Sequence, residues 1–378
     1  MALSVGERHY NSPRKIDKFK KDLSVLPVWY APPDATVLLH SSLPNDGFLD
    51  LLNRLNVPTR FMSAAQYWTK SQSVDELHPW GWNSSIYNEW GKKGRSSQVV
   101  DIAGVRDLSS RRHVIDVLSL DEITDVLPRD FIRPCIIRGV QEAKAWVERQ
   151  NAVVLKTPWS SSGKGLYWVA DGEWNEGVSQ WCAKSIARQG YVMGERVYDK
   201  VLDLAMEFQI EDHNASFAGY SVFETENGRY KGNLLANDEK LEMKISAYVG
   251  RNVLERVKNI LCGYFTEKYA QRYRGYMGVD MMVAKNREND HFLHPCVEIN
   301  LRMNMGVVAH TIYKRYIEDG REGKFLVKSY PNNAMLAIEQ DDLEKNHPLV
   351  VSNGRVRSGY LPLSFNADAT SIAYLIVG

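Results

Sequence analysis

Residues 153–165 read Val-Val-Leu-Lys-Thr-Pro-Trp-Ser-Ser-Ser-Gly-Lys-Gly, a short apolar run that ends in a lysine and opens at once into a loop of small residues. A Val/Leu run bounded by turn formers predicts a buried strand, and Lys156 at its end projects an ammonium over whatever lies beneath the loop. Serine and glycine let backbone N–H groups approach an anion, because glycine tolerates positive φ and neither side chain is bulky. The segment therefore suits phosphates, and a nucleoside triphosphate is the ligand it suggests. It is not the common phosphate loop, since Gly163-Lys164 is followed by Gly165 and Leu166 and not by the Ser or Thr whose hydroxyl binds Mg²⁺. An ordinary Ser/Gly hairpin with an exposed lysine also fits the segment taken alone.

A second constellation lies downstream, Gly278-Val279-Asp280-Met281-Met282-Val283 followed at 295–306 by Pro-Cys-Val-Glu-Ile-Asn-Leu-Arg-Met-Asn-Met-Gly. Both pieces read as strands. Alternate side chains share a face, so Glu298, Asn300 and Arg302 line one side while Val297, Ile299 and Leu301 take the other. Carboxylates in so apolar a setting are costly to bury unpaired, and hard oxygen donors of this kind suit Mg²⁺ that bridges substrate phosphates. Asp280 adds an oxygen from the neighbouring strand. An Arg302–Glu298 ion pair on a half-exposed sheet is the other reading of the same residues.

Together the two segments resemble the ATP-grasp superfamily of carboxylate ligases, which includes D-alanine:D-alanine ligase, biotin carboxylase and glutathione synthetases, over roughly residues 105–310. The resemblance implies an α/β fold, α+β in the nucleotide-binding part. A Rossmann-like domain at 1–105 precedes a small lobe at 106–192 and a large lobe at 193–378, which enclose an ATP cleft. By the same resemblance Lys156 with Ser160, Ser161, Ser162, Gly163 and Gly165 holds the nucleotide phosphates. Asp280, Glu298 and Asn300 hold Mg²⁺ or Mn²⁺, and Arg302 matches the arginine of an Asn-Pro-Arg-like continuation in which Leu301 replaces proline.

Residues 191–197, Tyr-Val-Met-Gly-Glu-Arg-Val, look like the family's hinge strand, which places Glu195 and the backbone near Val197 against adenine. Glu207 resembles the acid that contacts ribose or the phosphate-bound metal. Two acids at solvent-facing strand positions is the alternative for Glu195 and Glu207. The family's earlier phosphate-contacting lysine falls near Ser109-Ser110-Arg111-Arg112, where Arg111 is the candidate and Arg112 its competitor. Lys231 could reach a phosphate from a hairpin, although a surface lysine is the simpler reading. The implied activity is that of an ATP-dependent carboxylate-amine ligase acting on small-molecule carboxylate and amine substrates, with Lys156 and Arg302 as catalytic groups. The substrate carboxylate is activated as an acyl phosphate for attack by an amine or another nucleophile. A non-catalytic ATP-binding regulatory module and a phosphotransferase to a hydroxyl or histidine remain open alternatives.

Composition constrains the partners. With 47 basic and 46 acidic residues the formal net charge is +1, which implies no general attraction to nucleic acid or to membrane surfaces. Cys135, Cys182, Cys262 and Cys296 are far apart and form no CxxC, so a reduced, cytoplasmic setting is expected. No apolar run approaches the length of a membrane helix, and no partner in a membrane is expected. A homodimer is suggested only by how common twofold enzymes are. The aromatic turn Pro79-Trp80-Gly81-Trp82-Asn83 reads either as a substrate-recognising element or as packing at a domain edge. Apolar recurrence with a helical period predicts helices over 47–55, 140–149, 173–188, 252–273 and 304–316.

Overall fold

The computed structural model describes residue 10 and residues 12–40, 43–69, 76–92, 100–150, 152–160, 165–226 and 229–378. Its 15 strands form three sheets. The first is a parallel pair, β1 (Val37–Leu39) and β2 (Phe61–Ser63), joined through the helix Asp46–Arg54. The Asn45 side chain caps that helix by accepting from Phe48 N at 2.9 Å, and Phe48, Leu51 and Leu52 form its buried stripe. This single βαβ unit is what the described residues show of the expected Rossmann-like domain.

The second sheet holds β3 (Cys135–Ile137), β4 (Val153–Lys156), β5 (Leu166–Val169) and β6 (Val192–Arg196) in the order β3-β6-β4-β5. Alternation splits β4: Val153 and Leu155 join Trp146, Val147, Val178 and Cys182 in a core beneath the helices Val140–Val147 and Glu176–Gln189. Val154 and Lys156 take the opposite face.

The third sheet has nine strands, β7 (Asp199–Glu211), β8 (Asn214–Glu226), β9 (Arg229–Leu235), β10 (Gly275–Lys285), β11 (His291–Asn300), β12 (Gly323–Ser329), β13 (Val350–Ser352), β14 (Arg355–Pro362) and β15 (Ser371–Val377). Their order is β11-β10-β7-β8-β9-β12-β15-β14-β13, with antiparallel pairing throughout. The helix Arg251–Lys268 lays Leu254, Val257, Leu261 and Phe265 on this sheet, with Phe265 edge-on to Phe208 of β7 at 5.3 Å. The helices Ile102–Leu108 and His113–Leu118 place Val105, Leu108, Val114 and Val117 in this same core.

The two ends of the chain share one core. Leu23, Val25, Trp29 and Leu52 pack with Ile312, Tyr316, Leu363 and Leu375, and the Trp29 indole N–H donates to the Leu363 carbonyl at 2.7 Å. Among the described residues no helix is long and apolar enough to cross a membrane.

Asp22 fastens this junction. Its side chain is fully buried, pairs with Lys18, and accepts from Asn366 Nδ2 at 2.8 Å, Thr370 N at 2.9 Å and Ser371 N at 3.0 Å. Asp22→Ala would leave two backbone donors without an acceptor, so it is expected to lower stability by about 2–4 kcal/mol. A denaturant-unfolding midpoint unchanged from wild type would show that the Asp22 contacts contribute nothing.

Candidate active site

Lys156 ends β4, and its ammonium pairs with Glu195 on the adjacent strand β6; the two side chains are only 9% and 7% exposed. Glu195 Oε1 is buried and has no hydrogen-bond partner. Below the loop, Thr157 N donates to Gly165 O at 2.9 Å and closes its base. Gly165 has φ +78°, and a Cβ there would come within 2.3 Å of Thr157 Oγ1, so this closure requires glycine. Ser161, Ser162 and Gly163 lie outside the described residues.

The large sheet supplies the acids. Asp280 of β10 stands directly opposite Glu298 of β11 and, on its other side, opposite Ala205 of β7. Two residues along, Gly278 stands between Asn300 and Glu207. Cross-strand partners share a face, as do residues two apart, so Glu207, Asp280, Glu298 and Asn300 all project to one side. Arg302 lies beyond the end of β11 and not in the strand row predicted from alternation; its NH2 donates to Asn300 Oδ1 at 2.8 Å.

Arg111 joins the two sets. It is 5% exposed and sits between two short helices, where its backbone N donates to Pro158 O at 3.1 Å. Its guanidinium donates through NH1 to Thr157 O at 2.7 Å and Ser160 Oγ at 2.8 Å, and through NH2 to Glu298 Oε1 at 2.8 Å. Arg111 Nε is buried without a partner. The neighbouring Arg112 is exposed and bonds Asp107 at 2.5 Å, so Arg111 is the arginine that enters the site.

The field in the gap is uneven. Burial would raise the Glu298 carboxyl, but Arg111, helped by Lys156 and Arg302, holds it below the ordinary carboxylate range. Asp280 has no such guanidinium at contact distance, and burial together with the Glu298 charge pushes it up to about 7. Burial pushes Glu207 up to about 8 against the hydrogen bond from Asn304. His294, two strand positions before Cys296 and four before Glu298, is driven down to about 3 by burial and by Lys156, so its ring is neutral.

Several expectations change. Glu207, expected to contact ribose or the phosphate-bound metal, is 2% exposed, accepts from Asn304 Nδ2 at 2.6 Å and neighbours the acid row. The Val197 amide donates to Ala152 O at 2.9 Å, which removes that N–H from any base contact. Lys231 is exposed and pairs with Glu226 at 3.2 Å. The Trp80–Trp82 turn reaches the site through its backbone, for Met303 N donates to Trp80 O at 2.9 Å and a Cβ on Gly81 would lie 3.1 Å from Arg302 Cβ. Sequence reading missed Asn304, whose helix-cap position had to be noticed.

Oxygen donors from Asp280, Glu298 and Asn300 are of the type that Mg²⁺ or Mn²⁺ takes, and a raised Asp280 is the mark of carboxylates crowded without enough positive charge. Among the described residues no three or more His, Cys, Asp or Glu groups form a metal cage.

A four-stranded sheet carrying Lys156 and a nine-stranded sheet carrying the acids, linked through Arg111, define a mixed α/β class. The chain has the ATP-grasp fold. It is similar to the biotin carboxylase–β,γ-ATP complex from Campylobacter jejuni, with 11% identity, 94% of this chain and 85% of that one covered, and a TM-score of 0.53. It is also similar to N5-carboxyaminoimidazole synthase from Aspergillus clavatus bound to ADP, at 11% identity, 90% and 93% coverage and a TM-score of 0.49. D-alanyl-alanine synthetase A from Vibrio cholerae gives 11% identity, 75% and 93% coverage and a TM-score of 0.43. No protein-family model and no curated protein sequence matches the chain.

The raised carboxyls set a pH dependence. A folded-state pKa above the unfolded one means that the fold favours the protonated acid. The associated stability is full below the unfolded value of 4.5 and is lost as pH rises through about 8 for Glu207. The ligand-free protein should therefore lose on the order of a few kcal/mol between pH 5 and 8, and Glu207→Gln should flatten that slope. Parallel unfolding-midpoint curves for the two proteins across this range would remove Glu207 as the cause.

Proposed function

We propose that this protein is an ATP-dependent ligase that activates a substrate carboxylate as an acyl phosphate for attack by an amine or another nucleophile. The observation that carries the reading is the 2.8 Å contact from Arg111 to Glu298. It brings the phosphate-loop side of the gap, with Lys156, against the acid row and Arg302. Arg111, Lys156 and Arg302 set against a row of oxygen donors suit a polyphosphate and its metal.

In this reading Lys156, Arg111, Ser160 and the backbone up to Gly165 hold the β and γ phosphates. The buried, unpartnered Glu195 Oε1 is an acceptor left for the nucleoside. Asp280, Glu298 and Asn300 would hold Mg²⁺ or Mn²⁺, which would supply positive charge to neutralise the phosphates. Arg302, anchored on Asn300, stabilises the charge that spreads over the transferring phosphoryl group.

The substrate carboxylate oxygen forms a bond to the γ-phosphorus as the bond to the ADP oxygen breaks. The amine then attacks the carbonyl carbon, loses a proton, and expels inorganic phosphate. Every step uses the protein for positioning and charge neutralisation, with no covalent enzyme intermediate.

An ADP-release assay over mixed small-molecule carboxylates and amines, with products identified by mass, tests the reading. An amide product is expected. A phosphorylated hydroxyl or histidine, or no ADP with any pair, would overturn it. With ATP and Mg²⁺ saturating, Glu298→Gln should slow turnover on the order of 10² to 10³, or several kcal/mol of transition-state stabilisation. Wild-type turnover in that variant would remove Glu298 from the metal site.

A further inference from the structure

The cation that faces Glu298 in this structure belongs to the protein. Arg111 NH2 lies 2.8 Å from Glu298 Oε1, and the same guanidinium is bound through NH1 to the base of the phosphate loop at Thr157 O and Ser160 Oγ. Glu298 keeps 31% of its side chain exposed to the gap, whereas Arg111 keeps only 5%. A divalent ion would approach the carboxylate oxygen to about 2.1 Å and would meet the guanidinium charge at contact distance. Metal and Arg111 therefore compete for one carboxylate. What can draw Arg111 away is a second anion with better geometry, and a planar guanidinium binds phosphate oxygens as readily as carboxylate.

From this we infer that Arg111 is a removable counter-ion that keeps the divalent metal off Glu298 until a triphosphate claims the guanidinium. This rests on the proposed nucleotide site and adds an order of events to it. The triphosphate takes Arg111, Glu298 is released, and the metal enters against the freed carboxylate. Arg111 is thus a positioning residue for the metal and a ligand for the phosphates, and its two roles are mutually exclusive in time. Because Arg111 also holds Thr157 and Ser160, its transfer loosens the base of the loop in the same event. Coupling of this kind is reciprocal between the two ligands.

The test separates the two roles by sign. Mn²⁺ alone, without nucleotide, is titrated by electron paramagnetic resonance into wild type and into Arg111→Met, which keeps an apolar stem in the buried channel and removes the charge. Wild type should bind Mn²⁺ alone weakly, while Arg111→Met should bind it at least about five-fold more tightly and should gain thermal stability on adding Mn²⁺. The same variant should bind a non-hydrolysable ATP analogue with Mn²⁺ more weakly than wild type. A structural role for Arg111 would weaken both. Unchanged or weaker binding of Mn²⁺ alone in the variant overturns the inference. If Arg111→Met does not fold, Arg111→Gln is titrated in its place, with the same rise expected and the same absence of a rise decisive. Failure of the ligase reading shows elsewhere, as absent ADP and product, and leaves the Mn²⁺ titration interpretable.

Discussion

The part-buried contact between Arg111 and Glu298 is the constraint on which the geometry of the site depends. Taking two opposite charges out of water is costly, and the cost is offset only when good geometry and additional hydrogen bonds satisfy the remaining donors. Arg111 meets that condition through Thr157 O and Ser160 Oγ, so the ion pair also carries the loop. The side of the gap built by β4 and the side built by β11 are thereby registered to each other at one guanidinium. Without it, Glu298 would keep only the more distant charges of Lys156 and Arg302.

That arithmetic of charge explains the rest of the acid row. Asp280 and Glu207 are raised because burial acts on them with no guanidinium in contact, while Glu298 is lowered because the nearest cation is spent on it. A sheet of this kind is stable as protonated acids or as anions around a cation, and poorly stable as bare anions. The site is therefore a place where charge must arrive from outside for all its carboxylates to ionise together.

Much of the site could be read from residue order because strands write their faces as alternation. Lys156 after Val-Val-Leu, and Glu298 with Asn300 in an apolar run, each declare a direction, and the structure places them as that alternation implies. Arg302 escaped the rule because β11 ends at Asn300. Arg111 and Arg112 could not be ranked, since they are neighbours in a turn and only the packing of two helices decides which one turns inward. Glu207 carries the same strand signature as a ligand-contacting acid, and its burial follows from a helix that arrives a hundred residues later. The strand order of the large sheet, and the core shared by Trp29 with Tyr316 and Leu363, rest on contacts of long sequence separation that no local pattern records.

The approach of that helix shows how backbone and site are tied. Glu207 is seated between two glycines: a Cβ on Gly306 would stand 2.1 Å from its Oε1, and one on Gly278 would stand 2.6 Å from its Oε2. Only bare Cα atoms let the helix Met305–Tyr316 come this close to β7 and β10. Asn304 then caps the helix by accepting from Val307 N at 2.9 Å while donating to Glu207 at 2.6 Å, so one amide fixes the helix start and satisfies the acid. Leu301, Arg302 and Met303 are the residues between β11 and this cap, and Met303 N is held by Trp80 O. The position of the Arg302 guanidinium is thus set by a short span pinned at both ends, by Asn300 on the strand and by Asn304 on Glu207. A larger residue at 278 or 306 would move the helix, the span and the guanidinium together, although neither glycine touches Arg302.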